Sequence, residues 1–272
     1  MEKSVWRVTI LGAAGRMGRS NVLSASQDKE IKLVGAIEAP KSNYLGEDVG
    51  VLAGCGELKL KITNDLVEVL ANTDVVIDFT IPLTSLTALK DNLEFKKAFV
   101  IGTTGFNDNE KEKIEEYSTK FPIVMAANFS IGVNVLLKLT EIASSLLNKE
   151  KGYDLEIFEA HHRFKKDAPS GTALRLAETA AKFSGRDFKK DLIYGREGIT
   201  GERSINEIGM LTMRAGDIIG DHKLSFCTLG ERIELGHIAH TRETFSKGAI
   251  LAAKWLKNRS KGLYSMRDVL DL

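Results

Sequence analysis

Val5-Trp-Arg-Val-Thr-Ile-Leu11, running into Gly12-Ala-Ala-Gly-Arg-Met-Gly18, is a short apolar run that ends in a glycine-rich turn. The run reads as a buried strand, and the turn then opens a helix through about Ser26. Glycines at such a turn let the backbone approach a pyrophosphate closely. The helix that starts there aims unpaired N–H groups and a partial positive charge at it. Glu38 stands twenty residues beyond Gly18, after the next apolar run Ile31 to Ile37. An acid at that place accepts hydrogen bonds from an adenosine ribose. A glycine triplet alone is weak evidence, and its weight here comes from the strand before it, the helix after it and the acid beyond. Ala14 stands where the common pattern has its second glycine, which costs one methyl of clearance and does not exclude a dinucleotide.

The same alternation continues outward. Leu66 to Leu70 is helical, Asp74-Val-Val-Ile-Asp-Phe79 a strand, Leu83 to Leu93 a helix and Ala98 to Ile101 a strand. Asn109 to Lys120 is a charged amphipathic helix and Pro122 to Ala126 a further strand. This predicts an α/β fold, a Rossmann-like doubly wound parallel sheet with helices on both faces. After Gly132 the pattern changes. Val133 to Asn148 is a long apolar-faced helix, Tyr153 to Ala160 alternates like a strand, and Thr172 to Phe183 is helical up to Gly185. Three β-type runs follow, Ile205 to Arg214, Lys223 to Thr228 and Arg232 to Ala239, punctuated by glycines. They predict a second α+β domain with a mixed or antiparallel sheet rather than more crossovers. Thr244 to Leu256 is an alanine-rich helix expected to return to the first domain. The expected division is a dinucleotide-binding domain of residues 1–131 and 241–272, and a substrate-binding and oligomerisation domain of residues 132–240.

With 28% charged residues and a net charge of +1 in 272 residues, no global field argues for nucleic acid, so any attraction for anions is local and the partners are small molecules. Cys55 and Cys227 lie far apart, match no metal-ligand spacing and read as packing residues of a reduced compartment. The chain shows no signal-peptide layout and no bilayer-length apolar run, so a cytoplasmic protein without membrane contact is expected.

The chemistry concentrates in Glu159-Ala-His-His-Arg-Phe-Lys-Lys-Asp-Ala-Pro-Ser-Gly-Thr172, which holds two adjacent imidazoles, three cations and a Ser-Gly-Thr helix start. Histidine titrates nearest neutrality, while lysine and a helix N-terminus attract carboxylates, so this segment can move protons and hold an acidic substrate. Neighbouring strand residues point to opposite faces. By strand geometry alone, then, at most one of His161 and His162 faces a given pocket, a limit that an irregular loop relaxes. Arg163 and Lys166 read as solvated or steering charges. His222, His237 and His240 lack a ligand pattern and read as structural or surface residues, with no metal expected. Asp78-Phe-Thr80, Gly102-Thr-Thr-Gly105 and Ala126-Ala-Asn-Phe-Ser130 fall on one sheet edge, where ligands of open α/β sheets bind.

Together with Asn134 and Arg214-Ala-Gly-Asp217, these motifs make the chain resemble the 4-hydroxy-tetrahydrodipicolinate reductase family, also called dihydrodipicolinate reductase, over essentially its whole length. The resemblance implies NADH- or NADPH-dependent reduction, with dehydration, of a cyclic imine dicarboxylate in diaminopimelate and lysine biosynthesis, by a homotetramer. It implies an acid/base role for His161 and a proton-donating, substrate-holding role for Lys165. His162, Gly171 and Thr172 fall on substrate-binding positions. Gly12, Ala13, Ala14, Gly15, Arg16, Met17, Glu38, Gly102, Thr103, Thr104, Ala126, Ala127, Asn128 and Phe129 fall on cofactor positions. Some members carry an arginine directly after the acid at Glu38, whereas this chain has Ala39, so NADH is expected to be accepted. Use of NADPH depends on Lys41 or Arg16 meeting a 2′-phosphate. Two other readings compete: a nicotinamide-dependent reductase of an amino-acid semialdehyde, and a non-catalytic dinucleotide sensor.

Overall fold

The computed structural model describes residues 5–272; the first four residues of the N-terminal segment lie outside them. The chain divides into two compact units, one running to Ile131 and resuming over Arg242–Leu272, the other Gly132–Thr241. In chain order the elements are β1 (Trp6–Leu11), α1 (Arg16–Ser26), β2 (Ile31–Ile37), α2 (Val49–Ala53), α3 (Leu66–Leu70), β3 (Val75–Asp78) and α4 (Pro82–Asp91). They continue with β4 (Ala98–Ile101), α5 (Asp108–Ser118), β5 (Pro122–Met125), α6 (Ile131–Leu146), β6 (Asp154–His161), α7 (Gly171–Ser184) and α8 (Phe188–Asp191). Then come β7 (Leu192–Tyr194), β8 (Ile208–Arg214), β9 (Gly220–Thr228), β10 (Glu231–Ala239), α9 (Glu243–Trp255), β11 (Gly262–Tyr264) and α10 (Met266–Leu270).

In the first unit the strands lie in the order β11-β5-β4-β3-β1-β2, all parallel, which is the Rossmann-like sheet expected. β3 and β4 are buried at every position, as strands covered on both faces must be. Their alternate residues feed two cores. Val8, Ile10, Val75, Ile77 and Val100 face one side with Val22 of α1 and Ala249, Ala252 and Ala253 of α9. Val76, Phe99, Ile101 and Ile123 face the other with Leu89 of α4 and Ile114 of α5. Each of the valine, leucine, isoleucine and phenylalanine side chains among them, fully buried, stabilises the fold by about 1.5–3 kcal/mol. The returning helix is α9, and it comes very close: a Cβ at Gly248 would lie 1.8 Å from the Phe129 carbonyl oxygen. The strand order reverses at β1, with β2 on one side and β3 on the other, so the crevice at the carboxyl ends of β1 and β3 is the ligand position of such a fold. β11 and α10 are absent from the sequence reading because three strand residues and a single helical turn carry no periodicity to detect.

In the second unit the order is β10-β9-β6-β8-β7. β6, β8 and β7 pair in parallel, while β9 and β10 are antiparallel, so the sheet is mixed. The step from β6 through α7 and α8 to β7 is itself a crossover between parallel strands of one sheet, contrary to the expectation of none. Register across β8, β6 and β9 produces rows on one face. Ile208, Leu155 and Phe226 form the first row, and Met210, Ile157 and Leu224 the second. Ala173, Leu176, Ala177 and Ala180 of α7 cover them. The next row, Thr212, Glu159 and His222, is polar, and the row after it brings Arg214 beside His161.

Candidate functional site

The first unit carries a cradle that suits a dinucleotide. Gly12 has φ 73°, a left-handed conformation that favours glycine. A Cβ at Gly18 would lie 2.0 Å from the Gly12 carbonyl oxygen, so α1 can press onto the turn only without a side chain there. Gly15 is the N-cap of α1 and supplies no side-chain oxygen, which leaves the first-turn amides to an anionic ligand. Glu38, at the end of β2, accepts hydrogen bonds from the Ala14 N–H at 2.9 Å and the Ala39 N–H at 3.0 Å, which holds its carboxylate over the turn. Ala13 and Ala14 are buried beneath the turn, Met17 is half-buried, and Arg16 is exposed. A cleft of about 990 Å³ runs from Gly12, Gly15 and Glu38 past Ala39 to Phe79 and Thr80.

At the neighbouring strand ends, Asp78 Oδ1 accepts the Thr80 N–H at 2.9 Å, the Thr80 hydroxyl at 2.6 Å and the Thr103 hydroxyl at 3.2 Å. Burial pushes the Asp78 carboxyl above its ordinary range, against the hydroxyl and N–H bonds it receives. The hydroxyl of Thr103 is thus used to join the ends of β3 and β4, while Thr104 beside it is exposed. The Phe79 ring lies where a Cβ of Gly102 would be, at 2.2 Å, and stands 5.4 Å from the Phe129 ring. Phe129 belongs to the core, so a ligand contact at this position would come from its backbone. Ala127 is exposed, with Ala126 and Asn128 half-buried beside it.

In the second unit the polar end of the β6 face holds a buried charge. Glu159 is 0% exposed, and its carboxylate makes four contacts with three partners. Arg214 donates through Nη1 at 2.9 Å and Nη2 at 2.7 Å, the Ser170 N–H at 3.1 Å, and His161 Nδ1 lies 2.6 Å away. A bidentate guanidinium matches a carboxylate in shape as well as charge. Removing one partner of such a buried pair commonly costs about 3–5 kcal/mol because the other charge stays uncompensated. Burial pushes the Glu159 carboxyl up, but the bonds from Arg214, His161 and Ser170 together hold it below the usual carboxylate range. For His161 the balance is reversed. Burial lowers it and outweighs the upward pull of Glu159, with Lys165 and Arg214 adding to the depression.

The segment between β6 and α7 folds back over this row. Arg214 Nη2 also donates to the Asp167 carbonyl at 2.6 Å, and the Arg163 N–H donates to the Gly216 carbonyl at 3.2 Å. Lys165 Nζ pairs with Asp167 at 2.9 Å. Ser170 caps α7 by accepting the Ala173 N–H at 3.2 Å, and its hydroxyl meets His222 Nε2 at 3.1 Å. The His222 ring stands edge-on to His161 at 5.2 Å, and its pKa is lowered to about 4, chiefly by burial and then by His161. His162 follows the last strand residue and lies 6.2 Å from the Phe164 ring. A Cβ added to Gly171 would meet nothing within 4 Å, so the start of α7 opens onto space. The fold therefore gathers His161, Lys165 and the Ser170–Thr172 helix start, while Arg163 and Lys166 are exposed.

The sequence motifs hold Glu159 and Arg214 without giving either a role, and His222 reads there as structural or surface. The place of Glu159 beside His161 follows from the sequence, because a residue two before it on a strand shares its face. The places of Arg214 and His222 do not, since they arrive through register on β8 and β9.

Two family models together match nearly the whole chain. The model "Dihydrodipicolinate reductase, N-terminus" matches residues 6–129, and "Dihydrodipicolinate reductase, C-terminus" matches residues 132–270. A 4-hydroxy-tetrahydrodipicolinate reductase of Chromohalobacter salexigens is 49% identical over 98% of both chains. One of Geotalea daltonii is 47% identical over 98% of this chain and 99% of its own. A dipicolinate-bound dihydrodipicolinate reductase from Paenisporosarcina sp. TG-14 shares the fold with a TM-score of 0.75, at 23% identity and 96% and 97% coverage.

The burial of His222 has a direct test. Its imidazole is expected to stay neutral from pH 8 down to about pH 5 and to protonate with a midpoint of about 4, read by NMR of its ring protons. A midpoint near the ordinary histidine value of about 6.5 would contradict the packing described.

Proposed function

The chain belongs to the dihydrodipicolinate reductase family. From that membership we propose that it reduces 4-hydroxy-tetrahydrodipicolinate, with dehydration, to tetrahydrodipicolinate in diaminopimelate and lysine biosynthesis. It is an NAD(P)H-dependent oxidoreductase. The observation that carries the substrate reading is the gathering of a proton-moving imidazole, a lysine and a helix start within one unit. A non-catalytic sensor needs no such cluster.

Loss of the substrate hydroxyl leaves a carbon–carbon double bond conjugated with the imine. Bound reduced nicotinamide supplies the hydride that adds to the remote carbon. The enamine so formed needs a proton at the neighbouring ring carbon, and His161 is the group we assign to deliver it. General acid help of this kind is typically worth about 10²- to 10⁴-fold in rate. Lys165 and the Ser170–Thr172 helix start hold the carboxylates, with His162, Gly171 and Thr172 completing the substrate contacts. Lys165 is also the group we assign as a proton donor. The low pKa of His161 in the ligand-free protein keeps its ring neutral at neutral pH. A dianion bound beside it favours the imidazolium, so substrate arrival itself arms the acid.

Gly12 to Met17 and Glu38 hold the pyrophosphate and ribose, with Gly102 to Thr104 and Ala126 to Phe129 at the nicotinamide end. Arg19 is tied to the Ala14 carbonyl at 2.8 Å and stacks 5.2 Å from the centre of the Tyr44 ring. With Ala39 after Glu38, NADH is accepted, and NADPH depends on Arg16 or Lys41.

On the sheet face opposite α7, Leu211, Met213 and Ile238 stand exposed beside Phe158 and Ala160. Uncovered apolar residues on a sheet face call for a partner, which supports self-association, and we propose a homotetramer working in the cytoplasm. No helix among the described residues is long and apolar enough to cross a membrane.

Sedimentation at micromolar concentration is expected to give a tetramer, and a concentration-independent monomer would contradict the assembly. With freshly generated substrate, the protein should oxidise NADH, measured beside NADPH at matched concentrations. His161→Gln is expected to lower kcat by about 10²-fold or more while leaving NADH binding intact. An unchanged rate would remove His161 from the mechanism.

A further inference from the structure

A carboxylate can only accept hydrogen bonds, so the 2.6 Å contact between Glu159 and His161 Nδ1 places the proton on Nδ1. The neutral ring then carries its bare lone pair on Nε2. That nitrogen lies beside Gly220, where a Cβ would come within 3.1 Å of it. A side chain there would crowd this edge of the ring. We infer that Glu159 is the positioning residue of the site: it fixes His161 in the Nδ1–H tautomer with Nε2 as its proton-exchanging atom, while Arg214 sets how much of the Glu159 charge the ring feels.

Two features of the cluster carry this. First, Glu159 is fully buried and its contacts are divided between the ring, the guanidinium and the start of α7, so one carboxylate fixes the orientation of all three. Second, the groups facing His161 come from every side, and each has a definite sign. Glu159 on β6 pulls its proton affinity up; Arg214 on β8 and Lys165 on the following loop push it down. His222 on β9 stands edge-on and stays neutral at neutral pH, so it packs the ring without adding a charge. Arg214 therefore acts as a counterweight. Because its guanidinium also holds the Asp167 carbonyl, the same residue links the loop that bears Lys165 to the charge balance at His161. A base oriented by a buried carboxylate is a recurring catalytic arrangement, and loss of the carboxylate there acts through the tautomer.

The proposal rests on the dicarboxylate reading for its catalytic meaning but not for its geometry, and the test separates the two. In substrate-free protein, ¹⁵N NMR of His161 at pH 7 is expected to show Nδ1 protonated and Nε2 bare. Glu159→Gln offers one oxygen, for which Arg214 and Ser170 compete, and an amide nitrogen that only donates. The tautomer should then move toward Nε2–H, and the His161 midpoint should fall. Arg214→Met should move that midpoint the opposite way, and the double variant should return it toward the starting value. A structural role alone would shift both single variants in one direction or neither.

In turnover, Glu159→Gln is expected to lower kcat by about 10²-fold with the KM for the dicarboxylate changed less than about two-fold. Should Arg214→Met fail to fold, the wild-type spectrum still decides. A ring protonated on Nε2, or single variants that shift the midpoint in the same direction, overturns the proposal. If the NMR pattern holds and the wild type does not turn over the dicarboxylate, the substrate reading falls and the positioning stands.

Discussion

A carboxylate with no water around it must be surrounded by donors, and the second unit is organised around that requirement at Glu159. Its partners come from β8, from the residue that caps α7 and from its own strand two residues on. Because Arg214 cancels the charge, the site tolerates an ion at full burial that would otherwise cost several kcal/mol. Because Ser170 and Asp167 are drawn in by the same pair, the loop carrying Lys165 is anchored on its α7 side. The apolar rows of β6, β8 and β9 give this polar end a fixed floor, and α7 covers the floor while turning its N-terminus to the polar rows.

The first unit solves a different problem. A dinucleotide needs backbone at close range, and that range is made by missing side chains. Gly18 allows α1 to press on the turn, Gly12 permits the left-handed bend, and Gly102 makes room for the Phe79 ring. Asp78 then joins the carboxyl ends of β3 and β4 through the hydroxyls of Thr80 and Thr103. Two of the three loops expected to meet the nicotinamide are thus joined to one another.

What the sequence reveals follows from what is local. The strand, turn and helix around Gly12 to Gly18 are contiguous, so residue periodicity and glycine placement are enough to recognise them and to place Glu38 after the next strand. His161, Lys165 and the Ser170 cap are likewise neighbours in the chain. Glu159 needed one further step, the two-residue period of a strand. Arg214 and His222 depend on how strands separated by some fifty residues align, and no local pattern encodes that register. The same limit explains β11, whose three residues gain their strand character only by pairing with β5.

Binding of a dianion beside a neutral His161 is the step on which the chemistry turns, and a crystal structure with NADH and pyridine-2,6-dicarboxylate shows it most directly. Carboxylates are expected on Lys165 and the start of α7, with the heterocycle at the Nε2 edge of His161 and Glu159 still on Nδ1. A dicarboxylate seated away from these groups, with the imidazole turned from it, would remove His161 and Lys165 from the chemistry.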